Sequence, residues 1–430
     1  MRRLGEGAAT ALLLAAAAIT FGDWHVPLPP PATTHTVLDI PEHLIAPPPS
    51  PLTGAFQPNT LLRDRAVHLF DSVLGSESVA PGPGPSSVTM LDRYGYVWVA
   101  DAAPGEEGSP RSSGYALRPT PTAYLGPGRP LGFRYDGEGN LIVCDSLKGL
   151  IMLEASTGRV IILSSHVTDA PPGSPGALIT YANDLDIAPD GTIYFTDCQN
   201  ITTAPHAGGL GYYDTFWSFL LGLYSGTPSG RLLAYDSTTG RTRVVAEGFW
   251  YANGVAVSAD GQFVAVVETN VWRVRRVWVA GPRAGLVDTL IDALPAFPDG
   301  ISTAPDGGFW LALVAPRPPI YKLLRYKLAR SIVPWLPERE GLTPVPPRPH
   351  IYKLLRYKLA RSIVPWLSAA LRPTAKLQGL VVRLSPDGTP QHSMWDTQGE
   401  VVASVSAAEE HAGRLWLGNL RGSGVSYVDV

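Results

Sequence analysis

Apolar residues along this chain fall into strand-length runs separated by glycine, proline and aspartate, and one arrangement of them recurs six times. Each copy has a small residue or proline, a variable residue, a small or acidic residue, and an apolar residue; a turn and an apolar-rich strand follow. The copies start at Pro85-Ser86-Ser87-Val88, Pro130-Leu131-Gly132-Phe133, Ala182-Asn183-Asp184-Leu185, Ala252-Asn253-Gly254-Val255, Pro298-Asp299-Gly300-Ile301 and, most weakly, Val402-Ala403-Ser404-Val405. The turns are Asp136-Gly137, Asp190-Gly191, Asp260-Gly261, Asp306-Gly307, a looser Asp92 to Gly95 and a degenerate His411-Ala412-Gly413. Asp-Gly between apolar runs predicts a hairpin, because glycine accepts the positive φ such a turn needs. The strands that follow include Tyr96 to Val99, Leu141 to Val143, Ile193 to Phe195, Phe263 to Val266, Phe309 to Leu311 and Leu415 to Leu417.

Most copies are about 45 to 70 residues apart, with one gap of about 104. Several strands per unit at such a period predict an all-β, six-bladed β-propeller with short helical caps. Its expected extent is residues 60–430, preceded by a Pro-rich linker over 23–59. Two stretches break the rhythm. Asp214 to Ser225 is too apolar for a solvated loop and predicts a short helix, either a packing cap or a substrate lid. The 17 residues from Ile320 to Leu336 return letter for letter at Ile351 to Leu367, within an insert over 320–367. Each copy has the helical spacing Ile320, Leu324, Leu328 among lysines and arginines. Such a basic amphipathic helix either caps the propeller or lies on an anionic membrane surface.

Composition narrows the partners. The formal charge of -3 gives no electrostatic case for nucleic acid. Two cysteines, Cys144 and Cys198, exclude a disulfide-built scaffold and a four-cysteine zinc site; one bridge or two buried thiols remain open. Arg2 and Arg3 before the apolar run Ala8 to Phe21 have the layout of a secretory signal over 1–22, cleaved or retained as an anchor. The expected destination is the secretory pathway: the endoplasmic reticulum or plasma membrane, or secretion. Asn200-Ile201-Thr202 is then a glycosylation acceptor.

In a propeller the entry ends of the innermost strands converge on one mouth of the axial channel. The variable residues of the six phrases therefore predict a ring of Ser86, Leu131, Asn183, Asn253, Asp299 and a small residue near Ala403. Two amides and a carboxylate in succession, Asn183, Asn253 and Asp299, fit a hard oxygen-seeking cation such as Ca²⁺. Zinc would want His or Cys, which this ring lacks. Ordinary strand-entry turns use the same residue types, so that reading stays beside the metal one. No Gly-x-Ser-x-Gly elbow supports a serine nucleophile, and of the scattered histidines only His166, His206 and His411 fall in loops expected to reach toward the axis.

Several blocks resemble strictosidine synthase-like proteins: Gly128-Arg129-Pro130-Leu131-Gly132-Phe133, Cys144-Asp145-Ser146-Leu147-Lys148-Gly149-Leu150, Tyr181 to Asp197, Gly230 to Val255, Val267 to Asn270, Phe297 to Ile301 and Leu380 to Asn419. The resemblance covers roughly residues 75–430 and extends to the paraoxonases. It implies a six-bladed propeller with calcium at the axial mouth and arylesterase or lactonase activity on small hydrophobic esters, with Asn183, Asn253 and Asp299 on metal-ligand positions. A membrane-anchored relative keeps an N-terminal anchor open. Departures also follow. The family's first blade offers a glutamate where this alignment has Gly84-Pro85-Ser86-Ser87, which implies a weaker calcium site, in the ~10⁻⁴ to 10⁻³ M class, or none. The glutamate of true strictosidine synthases falls near Ser406 or Ala407, with Glu409 and Glu410 close by, and the paraoxonase histidine falls on Leu131. Those departures speak against condensation and against a histidine base, and leave a non-catalytic membrane-associated binding propeller as the alternative.

Overall fold

The computed structural model describes residues 26–27, 34–35, 50–102, 114–171, 174, 176–206, 211–317 and 378–430. The leader, most of the linker and the whole duplicated insert over 320–367 lie outside the described residues. Among those described, no helix is long and apolar enough to cross a membrane.

Six antiparallel sheets of four or five strands form the propeller unit. Their innermost strands are Val79–Pro81 in blade 1, Pro130–Tyr135 in blade 2, Ala182–Ile187 in blade 3, Ala252–Val257 in blade 4, Ala296–Thr303 in blade 5 and Val405–His411 in blade 6. Each packs against the inner strand of the next, and the circle closes from blade 6 to blade 1. Blade 6 takes its three inner strands from the C-terminus and its outermost strand, Val67–Leu74, from the start of the unit. That strand pairs with Ser423–Asp429. Residues straddling the expected boundary at 60 are fastened to blade 5: Asn59 Nδ2 donates to Ser393 O at 2.8 Å, and Ser393 Oγ donates to Ala55 O at 2.6 Å.

The core lies in the clefts between blades. Ile142, Cys144 and Leu150 of blade 2 pack on Phe195, Leu233 and Tyr235 of blade 3, while Val79, Met90 and Tyr115 of blade 1 pack on Trp416 and Tyr427 of blade 6. Each aliphatic chain so buried contributes about 1.5–3 kcal/mol. The Asp-Gly turns form hairpins as expected, but as longer loops. Gly191, Gly261 and Gly307 take positive φ, whereas at Asp136-Gly137 the positive φ moves to Gly139. There Asp136 Oδ1 accepts from the backbone N–H groups of Glu138 and Asn140.

The second unit is described only in part. Its strands Ala204–Pro205 and Tyr213–Asp214 pair as a ribbon, followed by the helix Thr215–Ser225. Asp214 caps the helix by accepting from Phe216 N at 2.8 Å, and Gly226 ends it in the left-handed region.

Candidate functional site

At the entry end of blades 3 to 6 the inner strand skips two residues of its ladder: between Ala182 and Leu185, Ala252 and Val255, Pro298 and Ile301, and Val405 and Ala408. Such a bulge releases the skipped side chains from the sheet and aims them elsewhere. The equivalent first skipped residues are Asn183, Asn253, Asp299 and Ser406, so the sixth ring position is Ser406 and not Ala403, which precedes the strand. Blade 1 also corrects the sequence reading. Ser87–Leu91 is its second strand, and Ser86 sits exposed in the turn leading into it. The ring residue of blade 1 is Glu77, in the phrase Ser76-Glu77-Ser78-Val79. The ring is therefore Glu77, Leu131, Asn183, Asn253, Asp299 and Ser406, and the first-blade carboxylate thought lost is present.

The glycine that follows three of the ring positions, Leu131, Asn253 and Asp299, has a steric cause. A Cβ added at Gly132 would come within 2.0 Å of Asp184 Oδ1, one at Gly254 within 2.6 Å of Asp299 O, and one at Gly300 within 2.6 Å of Ser406 O. Neighbouring strands approach too closely for a side chain there. Hydrogen bonds fix the ring further. Asn253 Nδ2 donates to Asp299 Oδ1 and, at 3.1 Å, to Thr269 Oγ1, which donates onward to Pro298 O. Ser406 Oγ donates to Glu77 O at 2.7 Å, joining the last blade to the first.

Glu77, Asn183, Asn253 and Asp299 are all nearly inaccessible to solvent. Burial raises the pKa of Asp299 to about 7, against the pull of the Asn253 hydrogen bond. Burial and the charge of Asp299 push Glu77 well above the usual carboxylate range, and Arg129 partly offsets them. The charge of Asp299 thus reaches Glu77, and Asn183 Oδ1 is buried with no hydrogen-bond partner among the described residues. An orphaned acceptor costs about 1–3 kcal/mol, and a hard cation would satisfy it. The all-oxygen donor set fits calcium. Among the described residues no three His, Cys, Asp or Glu side chains cluster as metal ligands, so an ion here would rest on amides as well as carboxylates.

Aromatic residues stand just before the ring positions. Tyr181 and Tyr251 meet edge to face, with their hydroxyls 3.4 Å apart, and Trp272 packs on Phe297. Tyr251 holds a positive φ of 64°, unusual for a bulky residue. Burial keeps both phenols and the Cys198 thiol protonated, and the charge of Asp299 adds to this at Tyr251 and Cys198. Cys144 and Cys198 are free thiols.

The other candidates fall elsewhere. Leu131 is a ring residue but offers no base. His166 bonds Ser165 Oγ, His206 stacks on Tyr212 in the second unit, and His411 closes the far end of its strand. Glu410 accepts from Trp310 Nε1, and Glu409 lies three residues beyond Ser406, paired with Arg134.

The strictosidine synthase family profile matches residues 183–282. Adipocyte plasma membrane-associated protein from Salmo salar is 30% identical over 91% of this chain and 84% of its own length; that from Bos taurus is 32% identical over 89% and 82%. A gluconolactonase of solved structure from Xanthomonas campestris shares the fold with a TM-score of 0.52 at 14% identity, over 89% of this chain and 98% of its own.

Proposed function

Because this chain belongs to the strictosidine synthase-like family, among the adipocyte plasma membrane-associated proteins, we propose that it is a calcium-dependent hydrolase of the arylesterase or lactonase type, acting on small hydrophobic esters or lactones. Glu77, Asn183, Asn253 and Asp299 would hold the ion. The observation that carries the reading is the buried Asn183 Oδ1, which has no hydrogen-bond partner among the described residues, together with the carboxylates of Glu77 and Asp299, whose burial the charge of Arg129 only partly offsets at Glu77. Bound calcium supplies a Lewis acid for a carbonyl oxygen and for the charge that develops on it. The chain supplies the rest. Thr269 and Asp299 orient the Asn253 amide, the buried Tyr181, Tyr251, Trp272 and Phe297 give the entry an apolar character, and the two neutral phenols present donors rather than bases.

One observation favours a non-catalytic binding propeller of the secretory membrane system as the second reading. Leu131 and Ser406 bring no acid or base to the ring, and the Ser406 hydroxyl is committed to Glu77 O. Condensation of the strictosidine synthase kind is not part of the proposal for the same reason.

The test is the melting temperature of the chain with calcium titrated from none to several millimolar, followed by turnover of aryl esters and lactones. A ligand that binds only the folded state raises the melting temperature as its concentration passes Kd. A rise, with calcium-dependent turnover, supports the hydrolase. No shift at millimolar calcium sinks it and leaves the binding reading, which co-sedimentation with anionic vesicles then tests.

A further inference from the structure

The two amides of the ring, Asn183 and Asn253, each follow an alanine that faces an acid on the second strand of its blade. Ala182 is the register partner of Asp197, and Ala252 that of Glu268. Both acids are buried, and each is in turn the partner of an arginine near the start of the third strand, Arg231 in blade 3 and Arg273 in blade 4. One carboxylate oxygen goes to that arginine: Arg231 Nε donates to Asp197 Oδ2 at 3.0 Å, and Arg273 Nε donates to Glu268 Oε2. The other oxygen turns to the loop that leads into the ring. Asp197 Oδ1 accepts from Thr180 N at 3.0 Å and from Tyr181 N at 2.8 Å, and Glu268 Oε1 accepts from Trp250 N at 2.9 Å. In blade 4 the loop is tied twice more, by Thr269 N to Tyr251 O at 3.2 Å and by Asn270 N to Trp250 O at 3.3 Å. Three hydrogen bonds thus hold the turn in which Tyr251 keeps its positive φ.

The other blades differ. In blade 2, where the ring residue is Leu131, Asp145 faces Pro130, but the third strand sets Gly149 opposite it in place of an arginine. Its carboxylate turns to its own hairpin, accepting from Leu147 N at 3.0 Å and lying 3.4 Å from Lys148 Nζ. In blade 5, whose ring residue Asp299 is itself an acid, Pro298 faces Leu313. In blade 6 Val405 faces Asn419, which accepts from the N–H groups of Arg421 and Gly422 in its own turn. Among the described residues, the clamp on the entry loop accompanies the two amides alone.

A carboxylate is drawn to a cation by its charge, whereas an amide oxygen must already point at the ion when it arrives. Asn183 Oδ1 has no hydrogen-bond partner among the described residues, so its backbone sets its direction. A buried ion pair adds little stability over well-packed apolar residues, and the hydrogen bond to the entry loop is what distinguishes these two pairs.

We infer that Asp197 with Arg231 and Glu268 with Arg273 are positioning pairs that fix the Asn183 and Asn253 amides, and that calcium affinity depends on them. The inference rests on the proposed function for the ion; the clamp itself is read without one.

The experiment measures the calcium Kd of the full chain by calorimetry, and its backbone hydrogen exchange in metal-free buffer, for the wild type, Asp197→Ala, Glu268→Ala, Glu268→Asp and Asp145→Ala. Asp197→Ala and Glu268→Ala should each weaken binding by about 10–100-fold, as loss of a group behind a metal ligand does. Glu268→Asp keeps the charge facing Arg273 but falls short of Trp250 N, and should weaken binding as well. Asp145→Ala, behind Leu131, should leave Kd unchanged. Exchange should quicken over residues 180–183 in Asp197→Ala and over 250–253 in Glu268→Ala, each loop answering to its own acid. An equal loss of affinity in Asp145→Ala, or full affinity in Glu268→Asp, overturns the inference. If the wild type binds no calcium, the proposed function fails; exchange quickened only in each acid's own loop then upholds the clamp, and exchange quickened in all blades alike overturns it. Should the alanine variants not fold, Glu268→Asp decides by the same two readings, and its failure to fold as well overturns the inference.

Discussion

The ring and the tier beneath it occupy the same strands three residues apart, yet they settle their charge differently. Below, Asp186 and Glu409 close on Arg134. In the ring, the charge of Asp299 reaches Glu77, Asn253 Nδ2 donates to Asp299, and Asn183 Oδ1 has no partner among the described residues. A carboxylate set with its own guanidinium is complete as folded. In the ring the charge of Arg129 only partly offsets burial at Glu77, and Asn183 Oδ1 keeps an unmet acceptor, so the proposed ion belongs there and not beside Arg134.

Four measurements bear on that contrast, beginning with the largest effect. Asp299→Ala should abolish both the calcium-induced rise in melting temperature and any calcium-dependent ester turnover; unchanged turnover would end the metal mechanism. Glu77→Gln should weaken calcium binding by about tenfold or more, since site affinity follows ligand charge. Ser86→Ala, in the exposed turn, should leave it unchanged. Calorimetric titration of both variants distinguishes Glu77 from Ser86 as the contribution of blade 1.

The third concerns pH. In metal-free protein the folded pKa values of Asp299 and Glu409 are both about 7, above the ordinary carboxylate value near 4 of the unfolded chain. The fold therefore favours their protonated forms. That contribution is full below about pH 4 and is lost as pH rises through about 7. His392 and His411, whose pKa values burial lowers, titrate with the opposite sign in part of this window, so differences between variants are the quantity to read. Asp299→Asn and Glu409→Gln should each gain stability relative to wild type between about pH 5 and 8, by up to a few kcal/mol. Saturating calcium should reverse the gain for Asp299→Asn alone. The smallest effect is expected for Gly132→Ala, which forces a methyl against Asp184. Overpacking of this kind costs about 1–3 kcal/mol, read as a lower melting temperature in calcium-free buffer.

Asn183, Asn253 and Asp299 were legible because each stands in a strand-entry phrase followed by an Asp-Gly turn and a full strand, and local pattern suffices for such a unit. Glu77 was hidden although Ser76-Glu77-Ser78-Val79 carries the same phrase. Its strand is three residues long, and the loop Gly82-Pro83-Gly84-Pro85-Ser86 lacks the Asp-Gly mark, so the second strand of blade 1 was read as its first. Ser406 was displaced to Ala403 because a bulge shifts register without changing composition. Val67–Leu74 could not be assigned from local pattern, since its partner is the last strand of the chain. The charge pairing of Arg134 with Glu409 likewise joins blades 2 and 6, and only a correct register for both strands would have revealed it.

The pairing of Val67–Leu74 with Ser423–Asp429 also sets a schedule for biogenesis. Synthesis delivers the N-terminal strand first, and its partner edge stays open while the rest of the chain is translated. An unpaired strand edge is a template for wrong partners, so that edge is open to mispairing until Ser423–Asp429 has been made. Glu77 follows the same strand, and its carbonyl is clasped by Ser406 of the last blade. Glu77 and the last blade therefore settle together: removing Ser423–Asp429 would leave Val67–Leu74 without its partner strand and loosen the segment that leads into Glu77.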